Sequence, residues 1–252
     1  MRFGIFVSNI GSHSDPSTVV DLATEAEAAG WDALLMWDHL AFVWGMPSAD
    51  PWVVLSACAV KTSRILLGTG VTPVPRRRVQ TLALTVATLD RLSGGRVLFG
   101  AGLGGNRGEF ERFGEDYSLA RRRQLLDDGL GTLRSWWSGE EVDSVTLRPA
   151  PERRIPIWVG GNSADALARA ARYDGWIADS TTPDAMKLSP DDIAERSRGL
   201  QGDIAVTGYS DRADPREYAE AGATWWLESF HDMRGGLEEQ LAVIRAGPTI
   251  AP

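Results

Sequence analysis

Short apolar runs alternate with stretches of helical periodicity along the chain. Eight runs have the length and the β-branched or aromatic content of strands. They are Phe3–Val7, Ala33–Met36, Ile65–Leu67, Val97–Ala101, Ile157–Val159, Trp176–Ala178, Ile204–Val206 and Thr224–Leu227. Between them, apolar residues recur three or four positions apart, as Leu82, Val86 and Leu89 do, and this spacing predicts one buried helix face. The alternation favours a parallel (β/α)₈ TIM barrel over an open doubly wound sheet.

Several predicted helices begin at a capping residue that is followed by proline. A side-chain oxygen at the cap accepts from the first free backbone N–H groups, and proline suits the first helical position. The four such pairs are Asp15-Pro16, Asp50-Pro51, Ser189-Pro190 and Asp214-Pro215. The longest predicted helix starts near Leu119 and ends at Gly139, and Val142–Leu147 predicts a small extra strand outside the alternation.

The length of the chain fits one barrel domain. At 252 residues it has the size typical of a single (β/α)₈ barrel, and no linker-like segment divides it. We therefore expect one compact α/β domain over residues 1–252 with short insertions. In such a barrel the loops that follow the strands meet at one end, where the active site lies.

Glycines and polar residues follow four of the predicted strands. Asp38 and His39 follow the second strand, and Gly70-Val71 follows the third. The fourth strand runs into Gly102 and the segment up to Asn106, and the fifth runs into Gly160-Gly161-Asn162-Ser163. Glycines beside polar side chains suit a flat, ring-shaped ligand that contacts backbone on one face.

The segment Gly160-Gly161-Asn162-Ser163 is a candidate phosphate site. A glycine pair that leads into a helix exposes N–H groups at the positive end of the helix dipole. The residues alone fit a tight turn capped by Asn162 or Ser163 equally well. The long helix opens with Arg121, Arg122 and Arg123, which are candidates for a charge-assisted phosphate contact, and we assign this contact to Arg121. The alternative for each arginine is a place on a solvated or salt-bridged helix face.

Composition excludes several classes of partner. The net charge of −8 and the pI near 5.0 argue against nucleic acid, and no apolar run is long enough for a membrane span. Cys58 is the only cysteine, so an internal disulfide is excluded and a reducing, cytoplasmic location is expected. The start of the chain lacks the features of a signal peptide. The spacing of His13, His39 and His231 predicts no metal site.

Five sequence motifs carry a family resemblance. GTGV, TLDRLSGGRV, FGAG, the pair Asp38-His39 and IPIWVGGN together resemble the bacterial luciferase-like family of flavin- or deazaflavin-dependent oxidoreductases. The resemblance implies a cofactor that moves a hydride to or from a small organic substrate. The arginine-rich composition and the TWWLE segment look most like members that use the deazaflavin coenzyme F-420, so we favour it over FMN. Homodimers are common in this family, and a homodimer is expected here.

The resemblance also implies roles for individual residues. Asp38 and His39 match a pair that lies near the reactive ring and takes part in proton transfer. Gly70-Val71 matches a position where family members often have a cis peptide that bulges against the ring. Asn106 matches a ring-contacting asparagine, whereas Leu103 stands where the sugar-phosphate dehydrogenase branch has glutamate, so that branch's acid chemistry is not expected. Trp44 lies close to a position where that branch has an aromatic residue over the cofactor.

The residues left three alternatives open. An FMN-dependent monooxygenase and a noncatalytic flavin-binding protein both fit the same motifs. A barrel isomerase or lyase would need paired carboxylates or a Schiff-base lysine at strand ends, and Lys61 and Lys187, the only lysines, do not sit at predicted strand ends. We rank this third class last.

Overall fold

A computed structural model of the chain describes residues 1–248 and shows a closed barrel of eight parallel strands. The barrel strands and the two strands of a small hairpin are numbered together in chain order. They are β1 (Arg2–Val7), β2 (Ala33–Met36), β3 (Leu66–Pro73), β4 (Val97–Gly102), β5 (Glu141–Val142), β6 (Val145–Thr146), β7 (Ile157–Gly160), β8 (Gly175–Ala178), β9 (Asp203–Gly208) and β10 (Trp225–Phe230). Around the barrel the order is β1-β10-β9-β8-β7-β4-β3-β2, and Val7 pairs with Phe230 where the first and last strands close it. The predicted (β/α)₈ fold is confirmed.

Helices connect the barrel strands and cover the outside of the barrel. They are α1 (Pro16–Ala28), α2 (Pro51–Lys61), α3 (Val79–Leu92), α4 (Gly108–Glu111), α5 (Leu119–Trp137), α6 (Ala164–Ala170), α7 (Pro190–Arg196), α8 (Pro215–Glu220) and α9 (Leu237–Ala246). All four predicted cap-and-proline pairs start helices, and the side chains of Asp15, Asp50, Ser189 and Asp214 accept hydrogen bonds from backbone N–H groups of the first turn.

The strands bury both of their faces, because one face fills the barrel and the other packs under the helices. Trp225 lies with Trp158 inside the barrel, their ring centroids 5.2 Å apart. The next residue, Trp226, points outward and packs against Tyr218 of α8 at 5.2 Å. Large side chains therefore fill the interior of the barrel.

The third strand is longer than its apolar run predicts. The sequence indicates Ile65–Leu67 followed by a turn, but β3 continues through Gly68 and Gly70 to Pro73. At Gly68 an added Cβ would lie 1.8 Å from the carbonyl oxygen of Leu98, so the glycine permits close approach of β4 rather than a turn. The pairing with β4 shifts register between Thr69 and Thr72.

The predicted small strand at Val142–Leu147 is a two-stranded hairpin, β5 and β6. Asp143 and Ser144 join its strands with φ of 50° and 63°, the left-handed conformation that a two-residue hairpin turn requires. No helix within residues 1–248 is long and apolar enough to cross a membrane.

Candidate active site

A cavity of about 650 Å³ opens at the carboxyl ends of the barrel strands, which is the size of a pocket for a small molecule or a cofactor. Most of the residues singled out in the sequence line it: Asp38, His39, Gly70, Val71, Gly102, Gly160, Gly161 and Ser163. Asn106, Arg121 and Asn162 do not belong to its lining. The structure therefore gathers residues from four different strand ends around one space.

Val71 forms a bulge in the wall of this cavity. The Gly70–Val71 peptide is cis, as the resemblance implies for this position. The Val71 side chain lies between β4 and β7, because a Cβ added at Gly102 or Gly160 would lie 2.3 or 2.6 Å from its methyl groups. The two glycines thus make room for Val71, which lines the cavity between them.

Asp38 is held in place by two arginines. Its side chain is fully buried, and its Oδ1 accepts from Arg76 at 2.7 Å and from Arg77 at 2.8 Å, while Oδ2 accepts from Arg77 Nε at 3.0 Å. Arg77 in turn reaches Asp50, the cap of α2, at 3.1 Å. Both carboxylate oxygens of Asp38 are therefore occupied by guanidinium groups.

His39 is connected to Asp38 through Arg76 and Glu109. Its Nδ1 lies 2.6 Å from Oε1 of Glu109, and the other oxygen of Glu109 contacts Arg76. Glu109 is on α4 and its side chain is almost completely buried. One continuous network thus runs from Arg77 through Asp38, Arg76 and Glu109 to His39. We call it the buried charge network.

The environment of His39 keeps its imidazole neutral. Burial and then the nearby Arg76 guanidinium lower the pKa of His39 to about 4, against a smaller opposing effect of Asp38. A neutral ring that faces a carboxylate through Nδ1 donates its N–H to that carboxylate, which leaves Nε2 as an acceptor. The rings of Trp37 and Trp44 flank the imidazole, with centroids 5.8 and 5.4 Å away. This geometry is that of a positioned base.

Asn106 and Trp44 lie beside this base. Oδ1 of Asn106 accepts from Trp44 Nε1 at 3.2 Å and from the backbone N–H of Gly108 at 2.9 Å. The asparagine therefore fixes the indole that packs on His39 and does not line the cavity.

The candidate phosphate segment lies at the start of α6. Gly161 has φ of +114°, a conformation that favours glycine, and Ser163 Oγ caps the helix by accepting from Ala166 N at 3.2 Å. The side chain of Asn162 turns away and donates to the carbonyl of Asp179 at 2.8 Å. Backbone N–H groups of the first helical turn have no partner within a helix, so this end is suited to an anion.

Of the three arginines that open α5, Arg122 is the one that reaches the cavity. It is buried and donates to the carbonyl oxygens of Gly104 at 2.5 Å and Tyr117 at 3.0 Å. Arg121 lies on the exposed face and donates to Gln124 at 3.0 Å, and Arg123 contacts Asp165. A phosphate contact from α5 is therefore geometrically available to Arg122, and the structure places the predicted Arg121 outside the cavity wall.

The opposite side of the cavity carries a second histidine. His231 follows β10, and its Nε2 lies 3.0 Å from the hydroxyl of Tyr209, which itself donates to the carbonyl of Thr182 at 2.7 Å. Because the hydrogen of the Tyr209 hydroxyl is donated to Thr182, the hydroxyl oxygen accepts a hydrogen bond from the N–H at Nε2 of His231. Burial and then Arg234 lower the pKa of His231. Its ring centroid is 5.7 Å from that of Trp37.

Sequence reasoning missed four residues of this site: Arg76, Glu109, Tyr209 and His231. Among the three candidate arginines, a signal for Arg122 exists, because it precedes Leu126 and Leu130 by four and eight positions and so shares their buried face. Glu109 stands in a glycine-containing loop of the sequence, with no pattern that indicates its burial. Within residues 1–248 no group of three His, Cys, Asp or Glu side chains is arranged to hold a metal ion.

Comparison with known sequences relates nearly the whole chain to one family. A family model described as luciferase-like monooxygenase matches residues 1–246. An F420-dependent glucose-6-phosphate dehydrogenase of Microbacterium testaceum is 30% identical over 196 residues, which cover 71% of this chain and 57% of that protein. The matched segment therefore spans little more than half of that relative.

Solved structures share the fold over almost the full chain. An F420-dependent secondary alcohol dehydrogenase, in complex with an F420-acetone adduct, superposes with a TM-score of 0.76 at 18% identity and covers 98% of this chain and 99% of its own. A monooxygenase from Streptomyces bottropensis gives a TM-score of 0.77 at 20% identity, with 98% and 97% covered. At these identities the likeness concerns the fold.

Proposed function

The chain belongs to the luciferase-like monooxygenase family, and from that premise we propose that it is an oxidoreductase that uses the deazaflavin coenzyme F-420. It moves a hydride between this cofactor and a small organic substrate. One observation carries the proposal: His39 lines a glycine-walled cavity as a neutral base, with Nδ1 held by Glu109 and Nε2 free to take a substrate proton.

The cavity fits a tricyclic cofactor with a phosphate-bearing tail. Val71 and the glycines that surround it, Gly70, Gly102 and Gly160, offer a backbone surface against which a flat ring can lie. Gly161 and Ser163 at the start of α6, together with Arg122, would hold a tail phosphate. When bound, the deazaflavin supplies a two-electron carrier that accepts or returns a hydride.

The protein's own contribution is to move and hold one proton. As the substrate alcohol loses a hydride from carbon, Nε2 of His39 takes the hydroxyl proton, and Glu109 stabilises the imidazolium that results. Asp38 has both oxygens engaged by arginines, so we assign it a positioning role: it holds Arg76 against Glu109. We also assign positioning roles to the two asparagines. Asn106 holds the indole of Trp44, and Asn162 holds the backbone carbonyl of Asp179.

We also propose that the protein works in the cytoplasm as a homodimer. Apolar side chains on the outer faces of two adjacent helices support the dimer: Val53 and Val60 on α2 and Leu84 on α3 are more than half exposed. Sedimentation at micromolar concentration should give twice the mass of one chain. A monomer at that concentration would contradict this part of the proposal.

Titration of the purified protein with the deazaflavin and, separately, with FMN tests the cofactor assignment. Binding is followed by quenching of the fluorescence of the ten tryptophans. We expect tighter binding of the deazaflavin, and at least tenfold weaker binding in the Gly161→Asp variant, because it places a carboxylate where the phosphate would lie. Gly199→Asp is the matched control, since Gly199 also has positive φ, 89°, but does not line the cavity.

Each other outcome points to a different function. Tighter binding of FMN would indicate the FMN-dependent monooxygenase. Tight deazaflavin binding without turnover of any alcohol or ketone would indicate a noncatalytic cofactor-binding protein. Binding of neither cofactor would reject the proposal.

A further inference from the structure

Charge is distributed unequally around the cavity. The lining residues with permanent positive charge are Arg122, Arg169 and Lys187, which we call the cationic wall. They lie on α5, on α6 and in the loop after β8, so they belong to the β4, β7 and β8 side of the barrel. In the strand order this side lies opposite β1 and β10.

The opposite side contains His39 and is built mostly from aromatic and apolar side chains. We call it the histidine wall, and its members are Phe6, Trp37, Asp38, His39, Tyr209, His231 and Met233. They come from the ends of β1, β2, β9 and β10. Since His39 is the base, the reacting part of a substrate must lie against this wall.

The two imidazoles and the phenol of the histidine wall are uncharged near pH 7, and its one carboxylate, Asp38, is paired with Arg76 and Arg77. Burial is the main cause that lowers the pKa of both His39 and His231, so both rings are uncharged there. Burial also raises the pKa of Tyr209, whose hydroxyl therefore keeps its proton. None of the three side chains supplies a positive charge to a bound anion.

The arginines near this wall are already paired. Arg76 and Arg77 hold Asp38, and Arg234 pairs with Asp211 and with Glu228 at 3.3 Å. Arg212 lies 5.4 Å from the ring of Tyr209 and 3.9 Å from the carboxylate of Asp211. Among residues 1–248 that line the cavity, no lysine or arginine belongs to the histidine wall. A phosphate or carboxylate placed there would lose its water without gaining a lysine or arginine that lines the wall, which disfavours its binding.

We propose that the substrate is an uncharged alcohol or ketone, with its hydrocarbon part against the histidine wall and its single oxygen at Nε2 of His39. This inference rests on the proposed function and names its substrate class. A bound deazaflavin would accept the hydride from the carbon that bears the hydroxyl, while Nε2 of His39 takes the hydroxyl proton, so that C–O becomes C=O. In the reverse direction the ketone would receive the hydride from the reduced cofactor and the proton from His39.

The proposed substrate class differs from that of a relative named for a phosphorylated substrate. The M. testaceum protein is called a glucose-6-phosphate dehydrogenase. Such a substrate needs a cation near its phosphate, and here the cations stand on the opposite wall, where we place the cofactor tail. Arg169 is furthermore held by both oxygens of Asp127 at 2.8 Å, and Lys187 lies 3.0 Å from Asp179.

Pairs of alcohols in which one member carries a carboxylate group and the other does not test the inference on the deazaflavin-loaded protein. One pair is 2-butanol and 3-hydroxybutyrate, and another is cyclohexanol and 4-hydroxycyclohexanecarboxylate, with glucose 6-phosphate added as a further anion. We expect kcat/KM for the neutral member to be at least about 100-fold higher. Equal or better turnover of the anionic members, or of glucose 6-phosphate, would overturn the inference.

Direct binding provides a second readout if turnover is slow. The fluorescence of the bound deazaflavin reports binding of cyclohexanone or glucose 6-phosphate to the loaded protein. Binding of the ketone alone supports the inference. Tighter binding of glucose 6-phosphate, or failure of every uncharged compound to bind or react, overturns it. If the protein does not bind deazaflavin at all, the proposed function has failed instead.

Met233 offers a variant that supplies the missing charge. Its side chain is 65% exposed at the mouth of the cavity, so substitution there does not disturb the core. We expect Met233→Lys to raise the ratio of anionic to neutral turnover by about threefold, the scale of a partly exposed ion pair. Met233→Gln, of similar length and without charge, should leave that ratio unchanged. An equal shift in both variants would contradict the electrostatic argument.

Discussion

His39 reaches the cavity with one nitrogen engaged by Glu109 and the other free. We predict that His39→Gln lowers kcat by about 100- to 1000-fold, the usual contribution of a positioned base. The Kd for deazaflavin should change little, because His39 is not among the proposed cofactor contacts. Single-turnover reduction of the bound deazaflavin and fluorescence titration measure the two quantities. A large loss of cofactor affinity with normal turnover would argue against a catalytic role.

The pH dependence of activity reports the same side chain. His39 acts as a base only when it is unprotonated, and its pKa is lowered to about 4. The acid limb of kcat/KM should therefore lie near pH 4, with a plateau from about pH 5 to pH 8. A limb near 6.5, the ordinary pKa of histidine, would show that the imidazole is more solvated than its contacts indicate.

Glu109 is expected to position His39 and to stabilise its charged form. Glu109→Gln keeps an oxygen that can accept from Nδ1 but removes the negative charge, so we predict about a tenfold lower kcat with little change in KM. Loss of the carboxylate also disfavours imidazolium and moves the acid limb below pH 4. Glu111→Gln is the matched control, because Glu111 pairs with Arg107 at the surface. Equal effects of the two variants would show that Glu109 does not position His39.

For individual residues, the sequence indicated those that follow the strands and did not indicate the side chains that hold them in position. Asp38, His39 and the glycines could be predicted because strand ends are visible in the apolar pattern. The pairing of Arg76 with Asp38 and with Glu109 depends on how the end of β3 and the helix α4 meet in space, and no local pattern records that meeting. Asp38 therefore looked like a proton-transfer residue, whereas its contacts indicate a positioning role.

The helix caps connect element stability to the site. Asp50 caps α2 and also binds Arg77, whereas Asp15 caps α1 without a contact to the buried charge network. We predict that Asp50→Ala and Asp15→Ala each lower the urea concentration at the midpoint of unfolding, because each variant removes a helix cap. Only Asp50→Ala should also lower kcat, because Arg77 loses a partner. Urea unfolding and steady-state kinetics test this, and an equal kinetic effect of both variants would contradict it.

Whole elements were more predictable than their ends. The eight barrel strands and the proline-capped helix starts follow from apolar runs and cap residues, which act locally. The length of β3 did not follow, because Gly68 permits close contact with β4 and Gly70 makes room for the ring of Phe6, so neither forms a turn. Helical phase could have selected Arg122 over Arg121, since Arg122 shares the face of Leu126.

The stability of the whole molecule should depend on its histidines. Burial is the main cause that lowers the pKa values of His13, His39 and His231 in the folded state. Below pH 6.5 the unfolded chain therefore binds more protons than the folded chain, and stability rises with pH in this range. Burial raises the pKa of Glu228, which acts in the opposite direction, so the effect of the histidines is measured in the Glu228→Gln variant. We predict that its free energy of unfolding increases from about pH 4 to about pH 6.5 and then levels off. Urea unfolding at several pH values measures it, and a decrease over that window would contradict the prediction.

In the proposed arrangement, the barrel separates two tasks on opposite sides of one cavity. The cationic wall and the start of α6 line the side proposed for the cofactor tail, and the histidine wall lines the side proposed for the substrate. The strand order creates this separation, because β7 and β8 lie across the barrel from β1 and β2. Sequence order alone does not show which loops face each other, so the division could be seen only in the closed barrel.

Hydride transfer itself can be followed with an isotope. The protein is loaded with oxidised deazaflavin and given 2-butanol that carries deuterium on the hydroxyl-bearing carbon, and the reduced cofactor is analysed by mass spectrometry. We predict that the cofactor gains one deuterium atom in the native protein and that the His39→Gln variant forms this product far more slowly. Bound deazaflavin that stays oxidised with every neutral alcohol, or becomes reduced without deuterium, would contradict the account.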